Sequence, residues 1–159
     1  MAMKTIVVVS DTHRNKQALA KLADIMFESD YVFHLGDCYD DFMDYAYALK
    51  EKAFQVHGNC DWGSDTEIVT EIEGHKILAT HGHEYGVKQT RDKLYRRAKE
   101  LGCDLVFYGH THVAEIETVK GITFINPGCM TPYSPKKSFA YVVINGEKVT
   151  AIINDKLLN

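Results

Sequence analysis

The chain has few cysteines, and none of them pair up in sequence. Cys38, Cys60, Cys103 and Cys129 are widely spaced and form no C-x-x-C unit, which argues against a zinc ribbon. Such scattered thiols fit a reducing compartment, so a cytoplasmic location is expected. No apolar run approaches the roughly 20 residues of a membrane span. The opening Met1-Ala-Met-Lys-Thr-Ile has no charged segment followed by an apolar one, so no signal peptide is expected. Positive charge is not in excess either. Against 22 Asp and Glu stand 18 Lys and Arg, a net charge of −4, which gives no basic footprint for a nucleic-acid polymer. A nucleotide-sized substrate is not excluded by that balance. Internal repeats and low-complexity tracts are also missing.

What remains is an ordinary globular composition, 45% hydrophobic and 25% charged over 159 residues. It fits one compact domain spanning 1–159. Lys4–Ser10, Tyr31–Leu35 and Ala53–His57 are apolar runs of the kind that form buried strands. Between them, Asn15–Phe27 and Asp41–Leu49 carry helical spacing. The opening half therefore reads β-α-β-α-β, a parallel sheet with right-handed crossovers. Glu67–Ile72 and His75–Thr80, joined at Glu73-Gly74, read as a hairpin. Thr90–Leu101 is a basic amphipathic helix closed by Gly102, with Lys93, Arg96, Arg97 and Lys99 on a solvated face. Asp104–Tyr108 reads as another buried strand. Ala114–Val119, Ile122–Asn126, Ser138–Ile144 and Val149–Asn154 read as short strands with Gly-containing turns. The most compact arrangement is two sheets packed face to face with helices outside.

Five motifs stand in order where such runs end: Asp11-Thr-His13, Gly36-Asp37, Gly58-Asn59, His81 in Thr-His-Gly-His, and Gly109-His110-Thr-His112. Each alone is ordinary: Asp-x-His after a strand is usually a turn or cap, and Gly-Asp is commonplace. An open α/β sheet, however, gathers ligands at the carboxyl ends of its strands. Residues two apart on an extended segment point the same way, so Asp11 can converge with His13, and His110 with His112. Carboxylate mixed with imidazole suits Mn²⁺, Fe²⁺ or Zn²⁺ better than Ca²⁺. His34, His57 and His75 lie outside these positions and are expected in packing, strand ends or a turn.

The ordered set resembles the calcineurin-like metallophosphoesterase superfamily, whose pattern is D-x-H, G-D, G-N-H-[D/E], H and G-H-x-H. It covers Asp11 to His112. The chain is similar to the small single-domain phosphodiesterases of bacteria and archaea. The resemblance implies an α/β, four-layer α/β/β/α sandwich with two mixed sheets face to face. It also implies two metal sites. Asp11, His13, Asp37 and His112 would hold the first cation; Asp37, Asn59, His81 and His110 the second, with Asp37 bridging. Two divalent metal ions are implied, Mn²⁺ first, with Fe²⁺, Zn²⁺ or Ni²⁺ as alternatives. Cys60 stands where many members have His after the Asn, a departure shared with the small phosphodiesterase branch that leaves the general acid undefined. In Asn126-Pro-Gly128, Cys129 replaces a family Ser, and this loop is expected to be structural and near the site.

The expected activity is hydrolysis of a small, nucleotide-like phosphate diester by in-line attack of a metal-bridging hydroxide. Asn59 would ligate metal and donate its amide N–H to phosphate, and Arg14 would reach phosphate. His83, two residues past His81, or Cys60 would serve near the leaving group. Alternatives are a phosphomonoesterase on the same site, a non-catalytic interaction scaffold of the same fold, and, more weakly, a nuclease. Filled ligand positions favour an enzyme over the scaffold. Tyr45, Tyr47 and Tyr133 are candidate exposed aromatics for a homodimer contact.

Overall fold

The structure, a computed structural model, describes residues 3–159. In chain order its elements are β1 (Lys4–Val9), α1 (Lys16–Lys21), α2 (Ala23–Glu28), β2 (Tyr31–His34), α3 (Met43–Leu49), β3 (Ala53–Gln55), β4 (Glu67–Ile72) and β5 (His75–Thr80). Then come α4 (Asp92–Leu101), β6 (Leu105–Phe107), β7 (Glu115–Val119), β8 (Ile122–Asn126), β9 (Phe139–Asn145) and β10 (Lys148–Asn154). They build two five-stranded sheets, ordered β10-β9-β1-β2-β3 and β4-β5-β6-β8-β7. Both are mixed: β1, β2 and β3 are parallel to one another, as are β5, β6 and β8, while β9, β10, β4 and β7 each pair antiparallel with their neighbours. No helix among the described residues is long and apolar enough to cross a membrane.

Strand alternation produces the layering. Ile6 and Val8 of β1, Phe33 of β2, Ile77 of β5, and Leu105 and Phe107 of β6 face one cluster between the sheets. Val7, Val9 and Val32 face the opposite way, against Ala18, Leu19, Leu22, Met26 and Leu49 of the α1–α3 layer. Leu78, Val106 and Phe124 meet Leu94 and Ala98 of α4 on the far side of the second sheet. This is the α/β/β/α sandwich. Phe33 ties the two sheets, stacked on Phe54 at 4.5 Å and edge-on to Phe107 at 5.0 Å between centroids.

Three expectations change. The spacing predicts one helix over Asn15–Phe27. Asn15 does cap its start, its side chain accepting from the Ala18 N–H, but Leu22 leaves helical geometry (φ −97, ψ 0) and divides it into α1 and α2. The Leu22 N–H bonds the Leu19 carbonyl at 2.9 Å, a tightened turn. The bend lets Leu19, Leu22 and Met26 all enter one apolar cluster. Second, Tyr45 is not a free surface aromatic: it packs partly buried beside Phe42 and Phe27, whereas Tyr47 and Tyr133 are exposed. On α4, Arg97 is paired with Glu67 of β4 rather than simply solvated. Gly102 closes that helix in a left-handed conformation, its N–H bonding the Lys99 carbonyl.

His75 begins β5 as a cross-brace. Its Nδ1 is 2.7 Å from Asp104 Oδ2, and its Nε2 is 2.8 Å from the Gly146 carbonyl in the β9–β10 turn. Burial works against its charge, but those two partners outweigh it and raise its pKa. A raised histidine pKa contributes stability that is full below the ordinary value of about 6.5 and is lost as pH rises through the folded value. His75→Ala is therefore expected to lower unfolding free energy by about 2 kcal/mol in mild acid. The gap to wild type should narrow in alkaline buffer; urea unfolding across pH measures it, and a constant gap would remove the protonated brace.

Candidate metal centre

The loops after β1, β2, β3, β5, β6 and β8 converge at one edge of the sandwich. Backbone hydrogen bonds knit them together: Asp11 N–H to Gly36 O, His13 N–H to Asp37 O, Gly109 N–H to His81 O and Met130 N–H to Asp11 O. Asp11, Asp37 and His81 are buried there, His13 and His110 are partly buried, and His112 is exposed.

The ligand atoms of Asp11, His13 and His112 lie within 4.8 Å of one another, and so do those of Asp37, His81 and His110. His112 Nε2 is 3.1 Å and His13 Nε2 3.7 Å from Asp11 Oδ1. His13 Nε2 is also 3.7 Å from Asp37 Oδ2, which is itself 3.4 Å from His81 Nε2. Asp37 thus stands between the two groups, with one carboxylate oxygen facing a histidine of each. His110 Nδ1 is 3.2 Å from His81 Nε2. Asn59 is exposed at the rim, its Nδ2 turned to Cys60 Sγ at 3.6 Å. Its carbonyl oxygen carries no hydrogen bond among the described residues.

The expected extended geometry is not what brings these groups together. Asp11, His13, Asp37, His110 and His112 all have left-handed backbone, with φ between 43 and 71. Such conformations cost energy in residues other than glycine and cluster at functional sites. His110 and His112 accordingly point to different groups rather than one. Two glycines make the approach feasible. A Cβ on Gly58 would lie 2.1 Å from Asp37 Oδ1, and one on Gly109 would lie 2.2 Å from Ser10 Oγ.

Hydrogen bonds orient the candidates. His81 Nδ1 donates to the Leu35 carbonyl at 2.7 Å, which turns the Nε2 lone pair toward Asp37. Asp11 Oδ2 accepts from Ser10 Oγ and the His110 N–H, leaving Oδ1 for the histidines. Asp37 Oδ1 accepts the Cys60 N–H at 2.9 Å, leaving Oδ2.

The site's charges call for cations. Asp11 and Asp37 are buried, and no Lys or Arg among the described residues pairs with either. His13 Nε2 is sealed from solvent with no hydrogen-bond partner while it faces both carboxylates. An orphaned nitrogen between two buried carboxylates fits a metal ligand. Burial opposes ionisation of Asp11, but hydrogen bonds from His112 and His13 and the charge of His81 outweigh it and hold the carboxyl far below the usual range. Burial opposes Asp37 too, and His81 outweighs it. His112 is pushed up to about 10 by hydrogen bonds to Asp11 and Cys129. His81 is raised because Asp37 and Asp11 overcome its burial. His110 is lowered to about 4 by burial and by the charges of His81 and Lys88. A cation entering here displaces protons from His81 and His112, so its affinity rises with pH.

His83 lies against the second group, its ring 5.4 Å from His81 and 6.1 Å from His110. Burial and the charge of His81 lower its pKa, and its Nδ1 has no partner. The Cys60 thiol is pushed up to about 11 by burial and Asp37, so it stays protonated at neutral pH. Arg14 is exposed beside His13, its backbone N–H held by Asp41 Oδ2 at 2.7 Å.

Of the supporting residues, Asp61 and Thr12 carry no role in the sequence reading, whereas the Asn126 loop is expected to be structural and near the site. Asp61 accepts the N–H groups of Asp37, Gly58 and Tyr39 and so buckles the Gly36-Asp37 loop to the Gly58-Asn59 loop. Its place in the G-N-H-[D/E] pattern was the available signal. Thr12 bonds both Asp41 Oδ2 at 2.6 Å and His34 Nε2 at 3.1 Å, fixing the turn between Asp11 and His13. Asn126 holds Gly109 O, Thr111 Oγ1 and the Gly128 N–H, so the Asn-Pro-Gly loop supports the Gly109–His112 turn. His57 is stacked on Tyr39 and takes no part in either group.

Residues 3–148 match the family model for the calcineurin-like phosphoesterase superfamily domain. The chain is 32% identical over 151 residues to a probable metallophosphoesterase, YsnB, of Bacillus subtilis, covering 93% of this chain and 88% of that one. It is 30% identical over 144 residues to a phosphodiesterase of Methanocaldococcus jannaschii, covering 77% and 82%. A crystal structure of a predicted phosphoesterase from Streptococcus pneumoniae has a TM-score of 0.82 and 30% identity, covering 98% of this chain and 91% of that one.

Proposed function

The chain belongs to the calcineurin-like phosphoesterase superfamily, and from that premise we propose that it hydrolyses small phosphate diesters with two divalent cations, Mn²⁺ first among them. The observation that carries this reading is the sharing of Asp37 between two histidine–carboxylate groups, with His13 Nε2 orphaned between buried carboxylates. Asp11, His13, Asp37 and His112 would hold one cation, and Asp37, Asn59, His81 and His110 the other. When bound, such a pair supplies activation of water and neutralises charge on the phosphoryl oxygens.

The chain's own groups do the remaining work. Asn59 turns its amide N–H toward phosphate while its oxygen ligates. Arg14 supplies a cation at the rim. His83 offers a ring N–H to the leaving oxygen, with the protonated Cys60 thiol a second, weaker donor. The name of the archaeal relative supports diesters over monoesters. The same reading keeps the protein in the cytoplasm as one domain with reduced thiols, and leaves Tyr47 and Tyr133 for a homodimer contact.

The test compares chelator-stripped and Mn²⁺-loaded protein on aryl phosphate diesters and monoesters. Diester cleavage should dominate, vanish on stripping and return with Mn²⁺. Faster monoester cleavage would make the protein a phosphomonoesterase. Loaded protein inert towards both would favour the scaffold. Within this reading, His83→Ala is expected to lower diester kcat/KM by about 10²-fold, the lower end for proton-donor catalysis. Unchanged turnover across the pH profile would remove His83 from the mechanism.

A further inference from the structure

A cleft of about 260 Å³ opens beside the candidate metal centre. Its wall includes Arg14, Tyr39, His57, Cys60, Asp61 and Trp62. Cys60 connects it to the chemistry, since the Cys60 Sγ lies within 4.8 Å of ligand atoms of His13 and Asp37. An ester with its phosphorus at the metal centre has a substituent to place outside it, and this cleft offers it room next to His13 and Asp37.

Two features of the wall define what it takes. One side is aromatic and rigid. Tyr39 and His57 stack at 3.9 Å between centroids with an interplanar angle of 7°. Tyr39 is anchored by its N–H to Asp61 and by its carbonyl to Gln55 Nε2, and Gly63 leaves no room for a Cβ against the His57 ring. The other feature is Trp62, the only tryptophan of the chain, which stands 100% exposed. Tryptophan is highly buried on average, and an indole with nothing packed on it presents a stacking face to a ligand. The volume falls just below the roughly 300–1,000 Å³ of small-molecule pockets, which suits one ring system and not a polymer groove. Asp40 adds an exposed carboxylate to the lining, able to accept from sugar hydroxyls or ring amines and hostile to a second phosphate.

We propose that this cleft is a nucleobase subsite: Trp62 stacks on the base of a small nucleotide diester whose phosphate sits at the Asp37-centred site. The assignment rests on the phosphodiesterase reading but names the substrate class, which that reading leaves open. A base–aromatic stack of this kind is worth about tenfold in affinity.

Binding alone tests it, without turnover. Mn²⁺-loaded full-length protein is titrated with adenosine 5′-monophosphate and with ribose 5-phosphate, which shares the phosphate and sugar but has no base. Calorimetry gives affinity, and emission from the single indole reports contact with Trp62 directly. The nucleotide should bind about tenfold more tightly than the sugar phosphate and change the emission saturably. Trp62→Ala should remove most of that advantage, and Trp62→Phe, which keeps an aromatic face, should retain most of it. Equal affinities, or a nucleotide preference that survives Trp62→Ala, would overturn the subsite. Failure of the diesterase reading looks different: loaded protein would be inert towards aryl diesters whatever the titrations show.

Discussion

Asp37→Asn is expected to lower diester kcat/KM by about 10³-fold, because it removes the charge proposed to bridge the two cation groups. The charge stabilisation supplied by bound metal is worth several kcal/mol, and about 1.36 kcal/mol corresponds to each factor of ten. Asp37 Oδ2 faces His13 and His81 at 3.7 and 3.4 Å; Asp11 Oδ1 faces the same two histidines at 3.7 and 3.8 Å, but its partner His112 holds it in the first group. Asn keeps the shape and Oδ1 can still accept the Cys60 N–H, so the fold should persist. Elemental analysis should then find fewer than two cations per chain. A mutant that keeps both ions and near wild-type turnover would show that Asp37 is only a turn residue.

Gly58→Ala is expected to disable the same site without altering any ligand. The new Cβ would meet Asp37 Oδ1 at 2.1 Å and the Asp37 backbone nitrogen at 2.8 Å. Backbone cannot move aside cheaply, because the Asp37 and Gly58 N–H groups are both pinned to Asp61 Oδ2. The carboxylate must swing away, so kcat/KM should fall by about 10²-fold, comparable to the larger losses on removing a support of a metal ligand. Mn²⁺ titration should show the weakened site, and circular dichroism should show retained secondary structure. Unimpaired Mn²⁺ affinity in Gly58→Ala would mean that Asp37 does not need its present position.

The difference between these two substitutions marks how far the sequence could be read. Asp37 is visible as a carboxylate after a buried strand, and Lys4–Ser10 or Asp104–Tyr108 are legible as strands because their doubly covered centres, Ile6–Val9 and Leu105–Phe107, are apolar throughout. Gly58 is visible only as a motif letter; that it leaves room for an oxygen 23 positions away from Cys60's amide depends on tertiary approach. The same limit hid the Thr12–His34–Asp41 network, whose partners are 22 and 29 residues apart. It also hid the left-handed backbone at Asp11, His13, His110 and His112, since side chains two apart on a strand would converge without it. Leu22 shows a related failure: its apolar spacing suits a continuous helix, and only packing of Leu19, Leu22 and Met26 into one cluster reveals the bend. Local patterns report burial and element type, whereas the orientation of ligands comes from loops meeting across two sheets.

The most direct measurement is Mn²⁺ titration of stripped protein followed by electron paramagnetic resonance. Two ions bound per chain with an exchange-coupled Mn²⁺ spectrum, lost in Asp37→Asn, is the expected result. A single ion, or two that remain magnetically independent, would contradict a pair of cations joined by one aspartate.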